Sequence, residues 1–210
     1  MIYPEITWRL EWCFDATGLS INNTVYILPT ADLWVLAVMN APIIWWNSWR
    51  TAQHGKDEAL RYIREFVQDL PIPKPTDAAR ARVEALVKEL IDLKGGRTAG
   101  LRAMIEWLQT EIGIEKVSNK LRDLIGLPLE EMLAEIKKQL PKKKGLSAAD
   151  LQRIKAEHAT TVVPLQANAR CADQHEREVS DLVNEAFALT PAEIKLMWDT
   201  APPRMPFTAP

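Results

Sequence analysis

Cysteine and histidine are scarce in this chain: Cys13, Cys171 and three histidines in 210 residues. Two cysteines so far apart make no disulfide framework, which leaves a reducing, cytoplasmic setting as the default. Cys171 and His175, four residues apart, could share a helix face. With only the distant His158 as a third ligand they make a poor zinc site, and no metal is expected. Nor do three histidines offer a Ser-His-Asp or Cys-His arrangement for nucleophilic catalysis. Charge of one sign is also missing. Twenty-six Lys and Arg against 28 Asp and Glu give a net charge of −2, so any nucleic acid must be met by a local patch rather than a polycationic surface. No apolar run is long enough to span a bilayer. The best, residues 33–49, is broken by Asn40, Pro42, Asn47 and Ser48 and falls short of the roughly 20 residues required. It reads as a buried helix, with no membrane partner. Residues 1–5 lack the basic and apolar regions of a secretory signal.

What remains is an ordinary globular composition, 47% hydrophobic and 26% charged, long enough for a core and permitting a second domain. In residues 3–15, Ile6, Trp8, Leu10 and Trp12 alternate with Thr7, Arg9 and Glu11, the period of a strand with one buried face. Gly18, Asn22 and Asn23 turn the chain into a second strand at 24–28. Two strands make a marginal sheet, so their partners are expected upstream. Thr30 can cap a helix from Ala31, and Pro42 should restart it over 43–50. Residues 57–66 read as another helix, with Leu60, Ile63, Phe66 and Val67 on one face. Leu70-Pro71-Ile72-Pro73 must run extended.

After Thr76, Ala79, Val83, Leu86, Leu90 and Leu93 recur at spacings of four and three, with Glu84 and Lys88 as an i,i+4 pair. Ala172, Val179, Leu182, Ala186 and Leu189 keep a comparable register, and the two helices are expected to pack as antiparallel arms. Gly95-Gly96 and Gly100 should interrupt the first arm before a further helix at 101–112. Between the arms, Pro128 opens a helix running to Leu140, followed by a basic Pro141-Lys142-Lys143-Lys144-Gly145 loop. Ser147-Ala148-Ala149-Asp150 and Thr190-Pro191-Ala192-Glu193 read as capping boxes, and the tail from Pro202 cannot continue a helix.

Several strings, taken in order, carry a resemblance. They are Ile2-Tyr3-Pro4-Glu5-Ile6, Leu36-Ala37-Val38-Met39-Asn40-Ala41-Pro42, Lys56-Asp57-Glu58-Ala59-Leu60, Leu70-Pro71-Ile72-Pro73 and Leu182-Val183-Asn184-Glu185-Ala186-Phe187, closed by Met197-Trp198-Asp199-Thr200-Ala201-Pro202-Pro203-Arg204-Met205-Pro206. Together they resemble the C-terminal region of adenine-specific DNA methyltransferases of the fused restriction-modification type, with a TaqI-like specificity domain. The resemblance implies a mainly α fold with a small N-terminal α/β portion. Residues 1–75 would be the closing part of a DNA target-recognition domain. Residues 76–210 would be an antiparallel helical spacer with a helical insertion. It implies a bacterial or archaeal protein, with duplex DNA and a methyltransferase catalytic core as partners and S-adenosylmethionine as the cofactor of the full-length family. The catalytic loop of such enzymes, (Asn/Asp)-Pro-Pro-(Tyr/Phe), is not matched. Ala201-Pro202-Pro203-Arg204 lacks both the hydrogen-bond acceptor and the stacking ring. Gly95-Gly96 follows a helix rather than a strand, so no cofactor is expected on this chain itself. No nuclease carboxylate cluster with its lysine lies on a convincing strand.

The candidate DNA contacts follow from residue chemistry as well. In Arg50-Thr51-Ala52-Gln53-His54-Gly55-Lys56, Gln can read adenine, Arg guanine, and Lys can neutralise phosphate, with His54 adding a donor. Arg61 and Arg64 could add phosphate contacts. The plainer alternative is a solvated loop with Arg50 serving the helix C-terminus and a solvated helix face at 61 and 64. Six of the eight tryptophans precede residue 50. Trp34, Trp45, Trp46 and Trp49 lie in an apolar helical stretch and are expected in the core rather than stacked on bases. Trp198 should anchor the last helix. A function without DNA is equally definable: a helical module that only docks a methyltransferase core.

Overall fold

The computed structural model describes residues 1–141 and 145–207; Lys142, Lys143 and Lys144, the heart of the expected basic loop, lie outside the described residues. The fold is mainly α with small sheets near the N-terminus. Two compact units are present, Met1–Lys88 with His175–Pro210, and Glu89–Gln174. The Pro-rich stretch 71–75 falls inside the first.

The first unit begins with β1 (Ile2–Pro4) and β2 (Ile6–Thr7). β3 (Val25–Ile27) pairs antiparallel with β1, placing Tyr3 opposite Tyr26. Tyr3 stacks on Trp12 at 4.1 Å between ring centroids and on Tyr26 at 5.6 Å. The expected single strand over 3–15 is therefore wrong. The chain bends at Glu5, and Thr7 is buried while Ile6 and Trp8 are 49% and 45% exposed. Burial follows Tyr3, Thr7 and Trp12, a spacing no continuous strand provides.

Asp32, not Thr30, caps α1 (Leu33–Met39), its carboxylate accepting from the Trp34 amide at 2.9 Å. α2 (Pro42–Thr51) starts on Pro42, where the missing N–H costs nothing. Of the four tryptophans expected in the core, Trp34 and Trp45 are buried, and Trp46 and Trp49 only partly so. Residues 57–66 do not form the helix read from their apolar spacing. Instead β4 (Gln53–His54) and β5 (Leu60–Arg61) make a hairpin, and β2 adds to it in the order β2-β5-β4. So the partner expected upstream for β2 is β5. Leu60 and Tyr62 are nearly fully buried, and the strand lets both point inward where a helix over these residues would have turned one away. A short α3 (Arg64–Gln68) follows, and the chain from Leu70 to Thr76 is without helix or strand.

Thr76 caps α4 (Asp77–Trp107) through the Ala79 amide. The helix runs straight through Gly95, Gly96 and Gly100, against expectation. A glycine lowers helix propensity by about 1 kcal/mol, which tertiary packing overrides. Glu84 pairs with Arg80 at 3.6 Å rather than with Lys88, and Arg80 also reaches Asp32. In the first unit, the start of α4 meets the end of α8 (Val163–Ala186) through a two-pronged Arg82–Glu178 ion pair at 2.6 and 2.8 Å. α9 (Pro191–Asp199) begins at the expected Thr190–Glu193 capping box.

In the second unit a Cβ on Gly100 would lie 2.9 Å from both methyls of Leu165, so the Leu165 side chain packs directly on the helix backbone there. Its core gathers Met104, Leu108, Ile112, Leu121, Leu124, Met132, Ile136, Ile154 and Val162. These come from α4, α5 (Asn119–Arg122), a 3-10 turn at Leu124–Gly126, α6 (Leu129–Gln139), α7 (Ala148–Glu157) and two π turns, Leu108–Ile112 and His158–Val162. α7 starts on the expected Ser147–Asp150 box, both of its bonds formed.

His158, on the second π turn, is 8% exposed, and its Nε2 has no partner among the described residues. Burial holds its pKa below the ordinary value, against a smaller upward pull from Glu130. The unfolded chain takes up this proton near pH 6.5, the folded one only at lower pH, so stability should fall as the pH drops through 6.5. Melting at pH 7.5 and 5.5 checks this: a His158→Phe variant should lose less Tm than the native chain, and equal losses would contradict it.

Candidate functional site

α2 delivers the chain into the hairpin at residues 50–64. Arg50 closes α2 with its guanidinium 3.9 Å above the Trp46 ring. It donates to the Trp46 carbonyl at 2.9 Å and to the Thr200 carbonyl at 2.8 Å. Trp46 Nε1 donates to Thr200 Oγ1, and Trp45 Nε1 to the Pro203 carbonyl. Arg50 thus fastens the segment after α9 onto α2, close to the plainer role considered for it. Trp198 packs on Phe207 in the same region.

His54 is exposed, but its ring sits edge-on to Trp49 and its Nε2 is 2.8 Å from the Trp49 carbonyl. The turn that follows is tight. The Gly55 amide donates to the Ala59 carbonyl at 2.7 Å and the Ala59 amide to the Lys56 carbonyl at 3.2 Å. Asp57 and Glu58 between them both have positive φ, 56° and 62°, the geometry of a type I′ turn that favours Asn-Gly. Trp8 Nε1 donates to the Asp57 carbonyl at 3.1 Å, holding the tip from β2's end. Sequence reasoning assigned neither Trp8 nor Glu5 to this region. A period-two pattern cannot show which distant strand a tryptophan will brace.

Arg61, on β5, is bonded through Nη2 to Glu5 Oε1 at 2.5 Å. Gln53, Lys56 and Arg64 are exposed. The structure therefore brings Gln53, His54, Lys56, Arg61 and Arg64 into one corner, with Arg50 at its root. Charge there is balanced: Arg50, Lys56, Arg61 and Arg64 against Glu5, Asp57, Glu58 and Glu65. Beneath it, burial pushes the Tyr62 phenol far above its usual pKa. No group of three or more His, Cys, Asp or Glu side chains that could hold a metal ion occurs among the described residues. No described helix is long and apolar enough to cross a membrane.

The tip carries removable strain, because a left-handed non-glycine residue costs on the order of 1–2 kcal/mol. The double substitution Asp57→Asn, Glu58→Gly should raise stability by about 1 kcal/mol after the entropy of the added glycine. A shift in the urea midpoint measures it, and destabilisation would mean the tip is not a type I′ turn.

A family model described as a domain of unknown function (DUF8810) matches residues 76–183, just over half of the chain. The chain belongs to this family. The DUF8810 match covers the helical part from the start of α4 to near the end of α8 and leaves the 50–64 corner outside it. No curated protein and no solved structure matches the chain.

Proposed function

We infer that this chain is a DNA target-recognition element. It docks on duplex DNA through the 50–64 corner and positions a methyltransferase core, in the same or a separate chain, that modifies adenine with S-adenosylmethionine. The observation that supports this most is a hairpin braced from three sides that leaves its readers outward. Trp8 holds the turn at the Asp57 carbonyl, the Trp49 carbonyl holds the His54 ring, and the Gly55–Ala59 bond closes the hairpin, while Gln53, Lys56 and Arg64 stay exposed. Rigid elements carrying exposed donors are what base and phosphate contacts require.

With charge balanced at the corner, only Lys56 and Arg64 are free to neutralise phosphate. Binding should therefore be weak and show a shallow salt slope of about −2 in log K against log salt. Lys56→Ala should weaken binding to all duplexes alike and flatten that slope by about 1. Fluorescence anisotropy across a salt series tests this, and a native chain that ignores duplex DNA at low salt would overturn the reading. A second reading has its own support. Ile6, Leu19 and Ile27 are each about half exposed or more, a surface that suits a protein partner. On that reading the chain docks a methyltransferase core without touching DNA, and co-purification with the core in the absence of DNA binding would select it.

A further inference from the structure

One face of the β2-β5-β4 sheet is open, and three side chains cross it in a row. Ile6 stands opposite Arg61, and Arg61 opposite Gln53. Directly opposed residues on antiparallel strands project to the same side, about 5 Å apart. The neighbouring positions Thr7 and Leu60 are 4% and 0% exposed, which fixes the other side as the inner one. The outer row thus presents a hydrocarbon, a guanidinium and an amide in sequence. Those are the chemistries that meet the thymine methyl, guanine O6 and N7, and adenine N6 and N7 in the major groove.

Arg61 is oriented in advance. Its Nη2 is held by Glu5, whose backbone is itself fixed by the Tyr62 and Thr24 bonds on either side. Its Nε is buried without a partner among the described residues. A guanidinium carries five N–H groups, so one bond to Glu5 leaves donors for a base edge at little ordering cost. β4 and β5 form a hairpin that ends in a tight turn beyond the short β2 on its other side, and the major groove admits such a hairpin. Lys56 at the turn and Arg64 just beyond β5 are exposed, and their charge complements a phosphate backbone. The carboxylates of Asp57 and Glu58 oppose it, which makes discrimination rather than raw affinity the expected output.

We propose that the Ile6–Arg61–Gln53 row is the base-reading surface of this protein, set into the major groove of duplex DNA, with Arg61 reading a guanine and Gln53 an adjacent adenine. The proposal rests on the DNA-recognition reading above, and its test separates the two. The full chain is used to select sites from a randomised duplex pool. Affinities at one salt concentration are then compared for the best site and its single-base variants. Arg61→Ala should lose 5- to 150-fold on the best site and cease to discriminate at one guanine position, with Gln53→Ala doing the same at a neighbouring adenine. Arg61→Lys, which keeps the charge, should recover affinity without discrimination. Thermal melts establish that each variant is folded. If Arg61→Ala and Gln53→Ala weaken every sequence equally, or the native chain shows no preference or favours single strands, the reading surface is elsewhere while DNA binding stands. If the native chain binds no duplex, both ideas fall.

Discussion

Trp45→Ala should cost about 3–5 kcal/mol of folding stability, the scale of emptying a buried tryptophan site. The ring is 0% exposed and lies 6.0 Å from that of Trp49. Its Nε1 donates to the Pro203 carbonyl at 2.8 Å, so the variant loses a core filler and an anchor of the C-terminal segment together. Trp45→Phe separates the two losses. It keeps most of the apolar volume and leaves the Pro203 carbonyl without its donor, for a cost of about 1–3 kcal/mol. Urea denaturation at neutral pH reads both, as a lowered midpoint with little change in slope. A loss below about 1 kcal/mol for Trp45→Ala would place the ring outside the core.

A gain is expected in the middle of α4. Gly95→Ala and Gly96→Ala should each stabilise the protein by about 1 kcal/mol, and by about 2 together, because alanine loses less backbone freedom on entering a helix. Neither added Cβ meets anything within 4 Å. Gly100→Ala is the internal control, since its Cβ would press on the Leu165 methyls at 2.9 Å and offset the same gain. The three denaturation midpoints should therefore rank Gly95→Ala and Gly96→Ala above Gly100→Ala. Failure of the first two to stabilise would restore the break in the helix that the glycines suggest on sequence grounds alone.

That break shows what the sequence conveys and what it does not. Signals carried by a few adjacent residues are legible. The Ser147–Asp150 and Thr190–Glu193 boxes and Pro42 at a helix start form as read, while Pro128, expected in a first helical turn, stands just ahead of α6 as its N-cap. Contacts between distant segments are not. Leu60, Ile63 and Phe66 have helical spacing, yet residues 60 and 61 become a strand because Ile6 and Thr7, far back in the chain, offer it hydrogen bonds. The same contact converts Arg61 from a residue on a solvated helix face into one tied to Glu5. At the corner, residue chemistry located Gln53, His54 and Lys56 together, but Arg50 was legible only in its plainer role. Its acceptor, the Thr200 carbonyl, is a backbone atom with no side-chain signature.

The three-stranded sheet also sets a timetable for the newborn chain. Among the described residues Ile6 and Thr7 find their strand partner in β5, which is synthesised well after them. Until Arg61 has been added and has cleared the exit tunnel, that segment waits with its strand edge unpaired, a condition that invites chaperones or mispairing. Slow codons placed a tunnel's length beyond residue 61 would give the sheet time to close before the later helices follow.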